Sequence, residues 1–444
     1  MKRVLQLTIP IIISFTVVFS GCIKQSTDSN QVATDRKPVA SPSPSPTATN
    51  LNESQITLPV LNALLANPDF ISQLRSRLRL SDDQIESLKR VTATELDQLR
   101  RSNAEDSAGD ASEARNRAAE QISAIIGDDQ SRELNQLGNE FWARADELGQ
   151  GADLLQQSAE PNAVPTDTRI VVNIPAFRMD LFQEGKLIKT YKIGIGYPQF
   201  PLPQGLRKAQ TIIFNPTWTP PDSPWVANMK NVTVGETVAA GSKDNPLGPI
   251  KIPIGMPSLI HGGKSIAKIG KFASHGCVGL TNAQVKDFAK LLADASETEL
   301  SDQSMGNYLQ DKTRTRVVKL KQTIPVELRY ETIVVEDGKL HIYKDVYKEN
   351  SNTEEKLSAV LVAHGVQLSD LSEDERTQIM DALNAMSASP KKVEKKDKTT
   401  KPKKPETEVV VELSGLSQQG YPSPVNLDDG KNKPAKTVAV GEGS

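Results

Sequence analysis

Ile260-His261-Gly262-Gly263, followed a little further on by Ser274-His275-Gly276-Cys277-Val278-Gly279-Leu280-Thr281-Asn282, brings two imidazoles and a thiol into one glycine-rich stretch. A thiol with an ordinary pKa of about 8.5 is mostly protonated at neutral pH, and an adjacent imidazole that takes its proton creates a nucleophile. Glycines on both sides let backbone amides approach a substrate carbonyl, as an oxyanion hole requires. A metal site built from His261, His275 and Cys277 is the competing reading. It is short of ligands, because no Asp or Glu lies between His261 and Asn282 and no second Cys is near. No metal is therefore expected, and no organic cofactor is needed where a thiolate and an oxyanion hole supply the catalysis. A buried structural Cys is the third reading, but His-Gly-Cys in a turn-like stretch does not resemble core. The two remaining His stand apart, His341 on the polar phase of a strand and His364 on a C-terminal helix.

Outward from this stretch the side-chain period is that of strands. Tyr191, Ile193 and Ile195 alternate with Lys192 and Gly194, and Val326, Leu328 and Tyr330 alternate further on. Glu184-Gly185 reads as a hairpin turn, and Asp337-Gly338 separates Ile333–Val335 from Leu340 and Ile342, a strong hairpin signal. One helix is expected near Ala283 to Leu292. The spacing predicts a mostly antiparallel sheet domain over 167–348, about 180 residues and ample for one core.

The flanks differ in kind. Lys2 and Arg3 precede an apolar run from Val4 to Phe19 that ends in Ser20-Gly21-Cys22, the layout of an export signal over 1–21. The run is shorter than the roughly 20 apolar residues a membrane span needs. A polar linker over 22–50 contains Ser41-Pro42-Ser43-Pro44-Ser45-Pro46, a stiff extended spacer. Residues 51–160 read as an α-helical module, with a capping box at Ser81-Asp82-Asp83-Gln84 ahead of the stripe Ile85, Leu88, Val91, Leu96 and Leu99. Beyond the sheet domain, 349–388 predicts a helical pair near Glu354–Ala363 and Ser372–Met386. A Lys-rich tail, 389–444, is expected to be disordered. With 53 Lys+Arg against 55 Asp+Glu, the formal charge of −2 gives no global attraction for nucleic acid. Two Cys allow at most one disulfide, and Cys22 and Cys277 stand in surroundings too unlike to suggest pairing.

Ile-His-Gly followed by Ser-His-Gly-Cys-Val-x-Leu-x-Asn resembles the signature of the L,D-transpeptidase (YkuD) family. Separated matches extend the resemblance over about 167–332: Ile170-Val171-Val172-Asn173-Ile174-Pro175, Asn215-Pro216-Thr217-Trp218-Thr219-Pro220-Pro221 and Asn245-Pro246-Leu247-Gly248. It implies a mostly-β catalytic domain with β-sandwich-like sheets and a short helix, acting on peptidoglycan stem peptides. Carried over by position, Cys277 is the nucleophile, His261 its general base, and the Gly262 carbonyl orients the imidazole. His275, Gly276 and the Cys277 amide would shape the oxyanion and substrate pocket, with Ser274 and Asn282 holding the loop. Two departures stand out. Many members carry Arg two residues after the Cys where this chain has Gly279, so a charge that could contact a substrate carboxylate is missing. The usual Pro-Thr-Gly-Thr phrase appears as Pro203-Gln204-Gly205-Leu206.

Cys22 after small residues resembles a bacterial lipobox, with Phe19 in place of the usual Leu. This implies cleavage before Cys22, lipid on Cys22, and a membrane anchor in the cell envelope. The phrases Leu80-Ser81-Asp82-Asp83-Gln84 and Ile126-Gly127-Asp128-Asp129-Gln130 faintly resemble the LTxxQ repeats of a periplasmic helical family. A helical spacer or a docking hairpin for an envelope protein is the reading favoured for this module. The whole is expected to be a multidomain, lipid-anchored L,D-transpeptidase that forms 3→3 cross-links or attaches other amines to stem peptides through a Cys thioester. An L,D-carboxypeptidase or endopeptidase using the same Cys is the alternative within enzymes. A non-catalytic peptidoglycan-binding lipoprotein is the alternative outside them.

Overall fold

Helical period before residue 160 and alternation after it translate into separate cores. The structure, a computed structural model, describes residues 56–102, 110–143, 160–227, 229–387, 407–413, 415–416 and 420–431. The expected export signal, Cys22 and the Pro/Ser-rich linker lie outside these residues.

The helical module contains α1 (Leu58–Leu65), α2 (Pro68–Ser76), α3 (Asp82–Ser102), α4 (Ala111–Ile126) and α5 (Asp128–Ala143). Four of the five start where a side chain supplies an acceptor, Thr57 for α1 among them. Asn67 and Asp110 cap α2 and α4, and Ser81 and Gln84 exchange both bonds of the expected capping box at 3.2 and 3.0 Å. The apolar stripes close on one another as a core that includes Leu61, Leu64, Phe70, Leu88, Ile122 and Leu137.

The sheet domain follows with β1 (Arg169–Asn173), β2 (Arg178–Gln183), β3 (Lys186–Lys192), β4 (Ile195–Gly196), β5 (Gly205–Phe214), α6 (Pro224–Ala227), β6 (Ile250–Pro253), β7 (Leu259–His261), β8 (Phe272–Ser274), β9 (Val278–Gly279), α7 (Asn282–Ala295), α8 (Asp302–Gln310) and β10 (Arg316–Arg329). The main sheet runs β3-β2-β1-β10-β5-β6-β7-β9, and β4 and β8 form a two-stranded sheet. Pairing is mixed: β1 with β10, β7 with β9 and β4 with β8 are parallel. The helix expected near Ala283 is α7, started by a capping box in which Thr281 and Gln284 bond each other at 3.1 and 2.9 Å. Its face of Val285, Phe288, Ala289 and Leu292 joins Ile252, Ile260 and Val278 in the largest core.

The Asp337-Gly338 hairpin forms as expected, but it does not extend the main sheet. Strands β11 (Ile333–Glu336) and β12 (Lys339–Tyr343) belong to a separate three-stranded sheet covered by α9 (Glu354–Ala363) and α10 (Glu373–Met386). The third strand corrects the expectation of a disordered tail: β13 (Glu408–Glu412) pairs with β12, Leu340 opposite Val411. Alternation explains the split. Ile333 and Val335 face the helices, whereas Val334 packs with Val171, Phe182 and Tyr421 against the main sheet. Residues 420–431 then return along β3, where Val425 and Thr190, and Asp428 and Thr190, are joined by backbone bonds of 2.9 Å. The Lys-rich stretch 391–404 lies outside the described residues.

A buried ionic cluster locks this arrangement. Arg178 is paired with Asp180 and Glu336, and Asp180 also accepts from Thr190 and from the Tyr421 hydroxyl at 2.6 and 3.0 Å. Burial raises the pKa of Asp180, with Arg178 opposing. Removing one partner from such a cluster strands charge in a dry setting.

Candidate active site

Strands β6, β7 and β9 lie in register, with Lys251 opposite His261 and His261 opposite Gly279. Successive residues of a strand face opposite sides. Ile252, Ile260 and Val278 form part of the core, so Lys251, His261 and Gly279 share the other face. Cys277, two residues before Gly279, falls on that face by the same alternation. Continuing the register puts Cys277 beside Leu259, and the thiol does interact with the Leu259 backbone. The two groups expected to react are thus brought to one face by adjacent parallel strands.

The imidazole is held in one tautomer. His261 Nδ1 lies 2.7 Å from the Gly262 carbonyl, which can only accept, so Nδ1 carries the proton and Nε2 presents a lone pair. His261 is 3% exposed. Burial, helped by the charges of Lys264 and Lys251, lowers its pKa to about 3, against the Gly262 and Leu247 carbonyls, which raise it. Burial also pushes the Cys277 thiol up, with the Leu259 backbone and the same two lysines opposing. Both shifts favour the uncharged forms, the thiol at Cys277 and the imidazole at His261.

Ser274 clamps the backbone of Cys277: its hydroxyl accepts from the Cys277 amide at 3.1 Å and donates to the Cys277 carbonyl. The Cys277 amide, expected in the oxyanion pocket, is therefore engaged by Ser274 in this geometry. Gly276 adopts φ +90°, turning the chain between His275 and Cys277. Asn282 holds a different loop from the one expected. As the first residue of α7, it accepts from the Gly263 amide at 2.7 Å and so fixes the turn that follows His261. That turn is tight: a Cβ on Gly248, at φ +68°, would sit 2.4 Å from the Gly263 nitrogen and 2.6 Å from Asn282 Oδ1.

His275 sits among aromatic rings. It stacks on Trp225 with centroids 4.4 Å apart and planes 9° from parallel, and Phe200 meets it edge-on at 4.8 Å. Trp225 in turn stacks on Trp218 at 5.5 Å, completing an aromatic wall. The wall was only half legible. Trp218 stands in the Pro-rich phrase quoted above, whereas Trp225 and Phe200 carry no periodic signal; the sparseness of Trp, three in this chain, is the one mark that singles out Trp225. His341 and His364 lie on the C-terminal elements, bonded to Glu408 and to the Val360 carbonyl.

The helical module abuts the loops around the site. Thr57 Oγ1 donates to the Gln199 carbonyl at 2.9 Å, next to Phe200, and Asn62 donates to the Asp222 carbonyl at 3.2 Å, near Trp225. Asn67 reaches Met256 in the β6–β7 turn. Among the described residues, no group of three or more His, Cys, Asp or Glu could hold a metal ion, and no helix is long and apolar enough to cross a membrane.

Comparison with curated proteins gives no match. Comparison with solved structures gives several. The catalytic domain of an Enterococcus faecium L,D-transpeptidase is 16% identical, covering 38% of this chain and 100% of that one at a TM-score of 0.25. L,D-transpeptidases from Mycobacterium smegmatis and Mycobacterium tuberculosis H37Rv are 15% and 12% identical, each at a TM-score of 0.22. These two matches cover 37% and 36% of this chain but only 58% and 57% of the mycobacterial chains. Residues 167–318, about a third of the chain, match the family model of the YkuD L,D-transpeptidase catalytic domain.

Proposed function

We propose that this chain is an L,D-transpeptidase of peptidoglycan stem peptides that works through a thioester on Cys277. The observation that carries this reading is the shared face of β7 and β9, where a buried His261 with Nδ1 fixed on Gly262 accompanies the Cys277 thiol. The family match over 167–318 supports it.

The donor is a tetrapeptide stem whose scissile amide follows the L-centre of a diamino acid. As Cys277 Sγ attacks the carbonyl, His261 Nε2 takes the thiol proton. The C–S bond forms, the C–N bond breaks, and His261 returns the proton to the departing D-Ala amine. A side-chain amine of a second stem then attacks the thioester, giving a 3→3 link and restoring the thiol. Two neutral partners suit this sequence, because no charge is desolvated before the substrate arrives, and a buried imidazole whose Nδ1 is held by Gly262 can take a proton at Nε2. Ser274 and Asn282 position the two loops, and the Trp218–Trp225–His275 wall offers apolar surface to the stem.

Incubation with a disaccharide-tetrapeptide followed by mass analysis tests this. Cross-linked dimers with loss of D-Ala support transfer, and tripeptide alone identifies a hydrolase on the same thioester. Inert substrate sinks both. The basic and apolar start of the chain supports export, with Cys22 as the lipid attachment in the envelope. Cys22→Ala should release the protein from membranes, and retention there would refute the anchor. The helical module is proposed to receive an envelope protein partner.

A further inference from the structure

Gly279 leaves a space that another side chain fills. A Cβ built there would lie 2.8, 3.3 and 3.0 Å from Cγ, Cδ and Cε of Lys264, so the lysine stem runs across the strand where a side chain of residue 279 would otherwise stand. The placement is built into the turn after His261. The Lys264 amide donates to the Leu280 carbonyl at 3.0 Å, and the Leu280 amide donates to the His261 carbonyl at 2.9 Å, which ties residue 264 beside the end of β9. Gly279 itself has no positive φ, so its lack of a side chain serves space and not backbone conformation.

We propose that Lys264 binds the terminal carboxylate of the departing D-Ala and so selects tetrapeptide donors that end in a free acid. The inference rests on the reading of Cys277 as the nucleophile of a stem-peptide acyl transfer. Residues two apart along a strand are separated by about 6.5 Å. Consecutive Cα atoms of the donor are about 3.8 Å apart, so the carboxylate of the leaving residue lies within one residue of the scissile carbonyl. A donor seated with that carbonyl at Cys277 and its chain end running toward Gly279 would bring its last carboxylate to the side of the strand that the Lys264 stem crosses. The lysine charge is felt by both His261 and Cys277, as that placement requires. An ammonium on a flexible stem suits a carboxylate that departs with the leaving group, because it can follow the charge. The charge that Gly279 lacks is thus supplied from the neighbouring turn.

The test compares kcat/KM for two tetrapeptides that differ only in ending as free acid or as amide. Wild-type protein should prefer the acid by about tenfold or more, the worth of one charge-assisted bond. Lys264→Met should bring the two within about twofold of each other, and Lys264→Arg should keep the preference. Lys264→Ala combined with Gly279→Arg, which returns a cation to the same space, should restore it. Wild-type indifference between acid and amide, or a preference that survives in Lys264→Met, overturns the proposal while leaving the acyl transfer intact. If the wild type turns over neither peptide, it is the functional reading itself that fails.

Discussion

Lowering the pH from 7 to 5 should cost this protein stability specifically through His261. An ordinary imidazole titrates near 6.5, whereas burial holds His261 at about 3. In the unfolded chain the group gains its proton as the pH falls through 6.5; in the folded protein it stays neutral until about 3. The unfolded state therefore binds more protons across this window, and stability falls with pH between the two values. At pH 5 the loss relative to pH 7 is about 2 kcal/mol, and by pH 3 it approaches about 4 to 5 kcal/mol. The pH 5 figure hardly depends on where below pH 4 the folded group titrates, since it is set by the unfolded one. His261→Asn removes the titration while leaving an amide N–H for the Gly262 carbonyl. Urea unfolding of both proteins at pH 7 and pH 5, followed by tryptophan fluorescence, isolates the effect because all other carboxylates and imidazoles cancel. The wild type should lose about 2 kcal/mol more than the variant. Equal losses, or an NMR titration of His261 with a midpoint above 6, would refute a buried neutral base.

Glycines with the same backbone should separate by crowding. Gly248→Ala should break the Asn282–Gly263 contact and abolish turnover, because its Cβ meets backbone at 2.4 Å. Gly235→Ala, at φ +79° with nothing within 4 Å, should cost only about 1 to 2 kcal/mol of strain and leave activity in place, read by thermal melting and product formation. Tyr421→Phe removes a donor from buried Asp180 and should destabilise the protein by about 1 to 3 kcal/mol in urea, with C-terminal hydrogen exchange rising first. Trp225→Ala should raise KM for the stem peptide while the rate of Cys277 alkylation stays constant; a matching loss in both would show that the wall shapes the thiol and not the substrate.

Local chemistry was the readable part of this chain. His261, Gly262 and Cys277 stand out as candidates because thiol, imidazole and glycine-rich turn are close in sequence, and the cap at Ser81 because a capping box spans one helical turn. Contacts between remote segments were not readable. The strand Glu408–Glu412 is short, follows a Lys- and Pro-rich stretch, and depends on remote partners, pairing with Lys339–Tyr343 and burying Val411 and Leu413 in the C-terminal core. The hairpin at Asp337-Gly338 was visible, but which sheet it joins depends on α9 and α10, whose apolar faces need Ile333 and Val335. At the site, Gly279 looked like a lost charge. Only the fold shows that the stem of Lys264, fifteen residues earlier, crosses the same space.

The central claim is a covalent one, that Cys277 accepts the acyl group of a stem peptide. Intact-protein mass spectrometry after mixing with a tetrapeptide donor, with no acceptor amine present, measures it directly. The account predicts an adduct equal to the donor minus D-Ala, located on Cys277, absent in Cys277→Ala and slow to form in His261→Asn. A Cys277 that can be alkylated yet takes no acyl group, or an adduct on any other residue, would contradict it.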